Sequence, residues 1–303
     1  MGSNIFILIS GYFMVDSKFK TKRLLRLVFA TSFYSVLIFI VFSLLGSAEF
    51  SVSALLKNIF PIFSGKYWFM TFFVAIYVIS GYLNTLINVL SRRRFQILLA
   101  IMALSMSVIP NITNRKTYFY EMLWFIFIYC LGAYIKRYPL KFFDRTWISG
   151  VIAVLSFTVI FLFSRYCAVF ADFDPVKKYY MTFLTEINSV PLVICAVSLL
   201  LLFKNIKIKS SKIINTAAAS TLGVYLIHEN EYIRPFLWDN IVNASYFWES
   251  PYLWLHALAC TLIIWLSCVI IDFTRINTVE RLLFKLIDPV CDKIDRSFED
   301  AAS

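Results

Sequence analysis

The 303-residue sequence is short of charge, of glycine and proline, and of histidine. Only 16% of its residues are Asp, Glu, Lys or Arg, while 60% are hydrophobic and the mean hydropathy is +0.75. An ordinary soluble domain carries roughly 25% charged residues and about 45–50% apolar ones. A soluble fold of this length cannot hide so much apolar surface, which excludes a water-soluble enzyme and a disordered tail. Eight glycines and eight prolines leave no flexible linker and no glycine-rich phosphate loop. Zinc motifs and a G-x-S-x-G nucleophile turn are absent as well. The six cysteines form no C-x-x-C pair and no metal-ligand spacing, so neither a disulfide scaffold nor a metal site organises the chain. Cys130, Cys195, Cys260 and Cys268 fall in apolar runs, Cys167 in a connection and Cys291 in the tail, and each reads as a small hydrophobe.

What the sequence does hold is apolar runs of membrane-spanning size, for which roughly 20 residues per helix are needed. Leu27 to Gly46, Trp68 to Leu90, Trp147 to Ser164 and Leu253 to Ile271 are clear candidates. Phe95 to Pro110, Phe119 to Ile135 and Ile187 to Phe203 lie near the short limit. Ala217 to Ile233 is apolar as far as Ile227 and then meets His228, Glu229 and Glu231, so its polar end is expected at an aqueous mouth. Asn4 to Val15 is apolar but too short to span alone. The expectation is an all-α, polytopic transmembrane helical bundle of about nine membrane segments, closed by a C-terminal amphipathic helix.

The basic residues sort between the connections. One side collects 21 of the 29 Lys and Arg, including Lys22, Arg23 and Arg26, the Arg92–Arg94 run and the tail. By the positive-inside rule that side is cytoplasmic, so the net charge of +11 reflects topology and calls for no nucleic acid. Nine spans with a cytoplasmic tail place the N-terminus outside, yet only Met1, Gly2 and Ser3 precede the first apolar run. No charged n-region or cleavage site resembling a signal peptide accompanies it. That pattern reads as a chain one helix short at its start, with a re-entrant or interfacial first segment as the alternative. No internal repeat is visible, and residues 1–275 read as one membrane domain followed by a cytoplasmic tail, 276–303. In the tail Val279, Leu282, Leu283, Leu286, Ile287, Val290 and Ile294 recur at helical spacing between charged residues, as in a helix lying on a membrane face. Pro289 is expected to kink or end it.

Ionisable groups at the edge of a membrane domain are expensive and so mark candidate sites. Tyr225-Leu226-Ile227-His228-Glu229 is the strongest: an imidazole beside a carboxylate can hold a proton near neutral pH and act as acid or base. A structural reading, a histidine bonded between helices or wetted at the surface, stands beside it. His256 reads as an interfacial residue. Lys22, Arg23 and Arg26, three and four residues apart, share a helix face and suit a phosphorylated ligand arriving from the cytoplasm, although topological anchoring is the simpler account of them. Tyr67 and Trp68 open a span that continues with Tyr77, Tyr82 and Asn84; aromatic belts explain the rings, whereas Asn84 and Asn88 need partners and must face protein.

Several blocks, taken in order, resemble the acyltransferase 3 family of bacterial integral membrane O-acyltransferases, and especially its surface-polysaccharide O-acetyltransferases. Phe6-Ile7-Leu8-Ile9-Ser10-Gly11-Tyr12-Phe13 resembles the family's FFxISGYF block, and Lys22-Arg23-Leu24-Leu25-Arg26 its basic motif. Trp68-Phe69 with Tyr77 and Tyr82-Leu83-Asn84 resembles the WF…Y…P.LN span, with Gly81 where proline is common. Leu131-Gly132-Ala133-Tyr134-Ile135 resembles YxxGAYI, and Leu222 to His228 resembles SLGxYLIH.

The resemblance implies transfer of an acetyl or other acyl group from acyl-CoA, the donor substrate, to a hydroxyl of a cell-surface polysaccharide or glycan precursor. No metal is implied, and the setting would be the bacterial cytoplasmic membrane. It implies that Lys22, Arg23 and Arg26 contact the acyl-CoA phosphates. Ser10, Gly11, Trp68, Tyr77, Tyr225 and Glu229 would line or support the pocket. The family's base is expected on a preceding first helix, which makes His228 a supporting residue. Two rival readings remain open at this stage: a transporter or flippase of glycan or lipid precursors, and an inactive truncated acyltransferase.

Overall fold

The computed structural model describes residues 1–113, 120–139, 143, 145–170, 184–207, 209–247 and 250–302, without the side chains of 167–170, 244 and 298–302. All regular structure among the described residues is helical. In chain order the helices are α1 (Gly2–Met14), α2 (Thr21–Leu44), α3 (Val52–Ile59), α4 (Trp68–Val89), α5 (Arg92–Ala103), α6 (Ile109–Thr113), α7 (Tyr120–Arg137), α8 (Thr146–Phe170), α9 (Val190–Asn205), α10 (Lys212–Ala219), α11 (Thr221–His228), α12 (Leu253–Arg275) and α13 (Arg281–Ala302). A π turn, Leu104–Val108, joins α5 to α6, and another, Ile276–Glu280, joins α12 to α13.

Five of these helical stretches are long and apolar enough to cross a membrane: α2, α4, Arg92–Thr113, Thr146–Tyr166 and the long run that begins at Leu253. The expected count of nine segments is therefore not reached on this measure. Helices α1 and α9 are apolar but short, and α7 carries Glu121, Lys136 and Arg137 within its 18 residues. The run expected over Ala217 to Ile233 divides at Ser220 into α10 and α11. There the Ser220 N–H reaches back to the carbonyls of both Thr216 and Ala217, tightening the last turn. Cys167 lies on helical backbone rather than in a connection, its side chain being outside the described set, as are Arg115, Lys116, Lys141, Lys177 and Lys178.

The described chain forms two compact units. The first takes residues 1–19 and 75–208 and is built around α1. Where α1 crosses α7, a Cβ on Gly11 would sit 2.1 Å from the Tyr129 carbonyl oxygen, and one on Gly132 would sit 2.2 Å from that of Leu8. Reciprocal glycines thus bring the two backbones into contact, as small residues do in membrane helix pairs. Polar groups close around the crossing. Asn4 is fully buried, its Nδ2 donating to the Ile187 carbonyl (2.6 Å) and its Oδ1 accepting from Trp124 Nε1 (3.0 Å). Asn84 on α4 donates to the Met14 carbonyl and accepts from the Tyr129 hydroxyl, both at 2.8 Å. Arg137 at the end of α7 donates to two carbonyls in the last turn of α4, Ile87 (2.5 Å), which also accepts from the Leu90 N–H (3.3 Å), and Asn88 (3.1 Å).

The second unit takes residues 20–74 and 209–303. Here α3 is tied to α2 by Ser35 Oγ donating to Asn58 Oδ1 (2.8 Å) and Ser32 Oγ to the Ile59 carbonyl (2.9 Å). Helix α11 packs on α12, and α13 lies along the first turns of α2. Of the two outcomes expected at Pro289, a stop is not seen: α13 runs through it. Pro289 and Lys285, whose carbonyl loses its partner, are both exposed, so water can take the missing bond. Phe284 and Cys291 face α2 and are buried, while Leu282 and Leu286 on the opposite face are 70% and 76% exposed.

The glycine crossing yields a direct test. Gly132→Ala is expected to cost more than the about 1–3 kcal/mol typical of overpacking, since the obstacle is backbone rather than a movable side chain. Gly81→Ala, whose methyl would meet nothing within 4 Å, is expected to leave the melting temperature of the detergent-purified protein unchanged or raise it. Equal melting temperatures for wild type and Gly132→Ala would refute the close crossing.

Candidate functional site

The candidate residues separate between the two units. Ser10, Gly11 and Tyr77 belong to the first. Ser10 Oγ donates to the Phe6 carbonyl (2.8 Å), Gly11 meets α7, and buried Tyr77 lies tilted against the Phe19 ring at 5.3 Å. Lys22, Arg23, Arg26, Trp68, Tyr225, His228 and Glu229 belong to the second, gathered at two places.

The first place surrounds the C-terminal end of α11. Tyr67, just before α4, donates its hydroxyl to the Leu226 carbonyl (2.9 Å) and accepts from Asn230 Nδ2 (2.7 Å), all three atoms being buried. Tyr225 lies against the rings of Phe69 (5.4 Å) and Tyr67 (6.1 Å). His228 is the last residue of α11. Its Nδ1 sits 2.6 Å from the Val224 carbonyl, and because a carbonyl only accepts, this nitrogen carries a proton. In the neutral ring Nε2 therefore holds the lone pair, 3.6 Å from Glu229 Oε1. The other Glu229 oxygen pairs with Arg234 at 3.2 Å. Lys66 pairs with Glu231 and lies 5.6 Å from the Tyr232 ring centre. Burial, and then the Glu231 carboxylate, raise the Tyr232 phenol above its ordinary value. Trp68 is exposed at the edge of this group.

The second place is the start of α2, where the sequence leads to three free cations and the structure gives two that are engaged. Lys22 pairs with Asp288 of α13. Arg26 stands 3.7 Å from Glu280 and 3.9 Å from Asp288, with its guanidinium over the Phe284 ring at 5.1 Å. The Thr21 N–H, at the positive end of the α2 dipole, donates to Asp295 (2.9 Å). Arg23 is exposed and has no ion pair among the described residues. A cavity of about 390 Å³ opens between Arg26 and the tail, lined also by Ile276, Asn277, Glu280, Arg281, Phe284, Lys285 and Asp288.

Beneath this cavity lies a buried ion network that the sequence does not announce. Asp272, 1% exposed, accepts at one oxygen from the Tyr34 hydroxyl and from Arg275 Nε, each at 2.8 Å. Arg275, 7% exposed, donates through Nη1 to Glu280 at 2.5 Å and faces the Tyr34 ring at 5.5 Å. In a regular α-helix positions five apart point to different faces. The π turn Ile276–Glu280 closes this interval instead and lets Glu280 return to Arg275. On the other side of Asp272 lies Gly223, where any Cβ would fall 2.0 Å from the carboxylate carbon. The one available signal was a lone aspartate at the end of the last apolar run with an arginine three residues on.

The family model described as an acyltransferase domain, Acyl_transf_3, matches residues 1–272. Comparison with curated proteins and with solved structures gives no match.

Removing one partner of a buried ion pair typically costs about 3–5 kcal/mol, because the other charge is left behind. Arg275→Ala is thus expected to lower the unfolding midpoint steeply. Arg26→Ala, breaking longer and half-exposed contacts, is expected to cost no more than about 1 kcal/mol. Equal losses for the two variants in a denaturation series in detergent would contradict the network.

Proposed function

The chain belongs to the acyltransferase 3 family, and from that membership we propose that it moves an acetyl group from acetyl-CoA to a hydroxyl of a cell-surface polysaccharide or its precursor. The observation that supports this reading beyond membership is the basic motif at the start of α2, whose Arg26 lines a cavity of about 390 Å³. Lys22, Arg23 and Arg26 supply cations for the donor's phosphates, and arginine suits them through its paired N–H donors. In this reading the start of α2 and the tail face the cytoplasm, where acetyl-CoA is made, and the α11 mouth faces outward.

The chemistry follows from acyl transfer. A base takes the acceptor hydroxyl proton while the oxygen attacks the thioester carbonyl; the tetrahedral oxyanion collapses, the C–S bond breaks, and coenzyme A leaves as a thiolate that takes up a proton. His228 serves the acceptor from Nε2, the ring nitrogen not committed to Val224, and Glu229 favours any positive charge the ring acquires. Tyr225 and Trp68 offer the aromatic surface on which a sugar ring can rest.

Membranes containing the protein are expected to transfer labelled acetyl from acetyl-CoA to glycan. His228→Ala should lower kcat about 10-fold or more, taking the lower part of the range for general acid–base groups and their supports. Lys22→Ala with Arg26→Ala should raise KM for acetyl-CoA and leave kcat less affected. No incorporation by folded wild-type protein with acceptor present would overturn the proposal.

A further inference from the structure

The basic motif forms only one wall of the cavity. The other wall is α13, which begins after the last residue of the family match, residue 272. Two of its residues, Arg281 and Lys285, stand one helical turn apart and line the same cavity as Arg26. Both are exposed and neither has an ion pair among the described residues. The carboxylates that share the cavity are, by contrast, engaged: Glu280 by Arg275 and Asp288 by Lys22. The cavity lining thus holds three cations, Arg26, Arg281 and Lys285, and two carboxylates, Glu280 and Asp288. The surplus is positive, and the two cations without carboxylate partners are both on the tail. Asn277, one turn before Arg281 on the same wall, adds an amide donor. At about 390 Å³ the space falls within the range of small-molecule sites.

We propose that the tail helix is half of the donor site: Arg281 and Lys285, facing Arg26 across the cavity, bind phosphate groups of the nucleotide part of an acyl-CoA. Helix α13 would then be a working wall of the site as well as a membrane-surface anchor. The carboxylates Glu280 and Asp288 keep Arg26 and Lys22 at the rim in the unliganded protein. An arriving polyphosphate competes for those cations while Arg281 and Lys285 are already open to it. This inference rests on the acyl-CoA reading of the basic motif and adds residues that the family resemblance does not supply.

The test uses the full-length detergent-purified protein and measures binding of coenzyme A and of pantetheine, which lacks the nucleotide and all its phosphates. Wild type is expected to prefer coenzyme A. Arg281→Ala combined with Lys285→Ala should weaken coenzyme A binding by about 10-fold or more, the scale of losing charge-assisted contacts to an anion. The same variant should leave pantetheine binding unchanged and reduce the salt sensitivity of coenzyme A binding. Lys285→Arg, which keeps the charge, should retain wild-type affinity, and Lys293→Ala, outside the cavity, should do the same. Both alanine sites are exposed, so an unchanged melting temperature is expected and separates loss of binding from loss of fold. Wild-type binding matched by the double variant would overturn this inference and leave the acyltransferase proposal standing. A folded wild type that binds no coenzyme A would overturn both.

Discussion

Arg275 is held at 7% exposure between two carboxylates, Asp272 and Glu280, at the end of an apolar helix. Burying three charges beside a membrane span is costly unless each is paired and hydrogen-bonded, and that requirement shapes everything around them. It calls for the Tyr34 hydroxyl from α2. It excludes any side chain at position 223 on α11. It also requires the π turn, since only the wider winding returns Glu280 to the arginine. Three helices and the start of the tail are thereby fixed to one another through a handful of polar atoms.

The direction of the tail follows from the same network. Because α13 continues α12 across the π turn, the position of Glu280 sets which face of the tail meets α2. That face carries Phe284, Asp288, Cys291 and Asp295, charged and apolar together. The apolar stripe of Leu282, Leu286 and Val290 points away from the protein. In water such an arrangement would be inverted; against a bilayer surface it is the expected one, with the stripe toward the acyl chains.

The α11 mouth works by a different economy. Its buried bonds run through neutral groups, Tyr67, Asn230 and the Leu226 carbonyl, while its charges, Lys66, Glu231, Glu229 and Arg234, pair near the surface. His228 sits where the two regimes meet. One ring nitrogen donates to the Val224 carbonyl and the other faces the Glu229 carboxylate.

Much of this molecule is legible in its residues. Hydropathy alone marks the long apolar helices and the membrane class, though not the number of spans, because a bilayer demands long apolar runs and satisfied backbone bonds from any chain that crosses it. Asn84 could be assigned to a protein-facing position for the same reason, and the ordered motifs indicate the family. Other features depend on neighbours distant in sequence. Lys22 and Arg26 look free in the chain, yet they lie against acids some 260 residues further on, Asp288 and Glu280. Gly11 and Gly132 stand out in the chain only as members of family-like blocks, and the contact between the α1 and α7 backbones shows what each makes room for. Asp272 and Arg275 read as the polar end of a span, and Arg281 and Lys285 as surface charge. The local pattern determines where a helix forms and which solvent it prefers, whereas the pairing of charges across helices is decided by packing, because a Coulomb partner is chosen by distance in space and not along the chain.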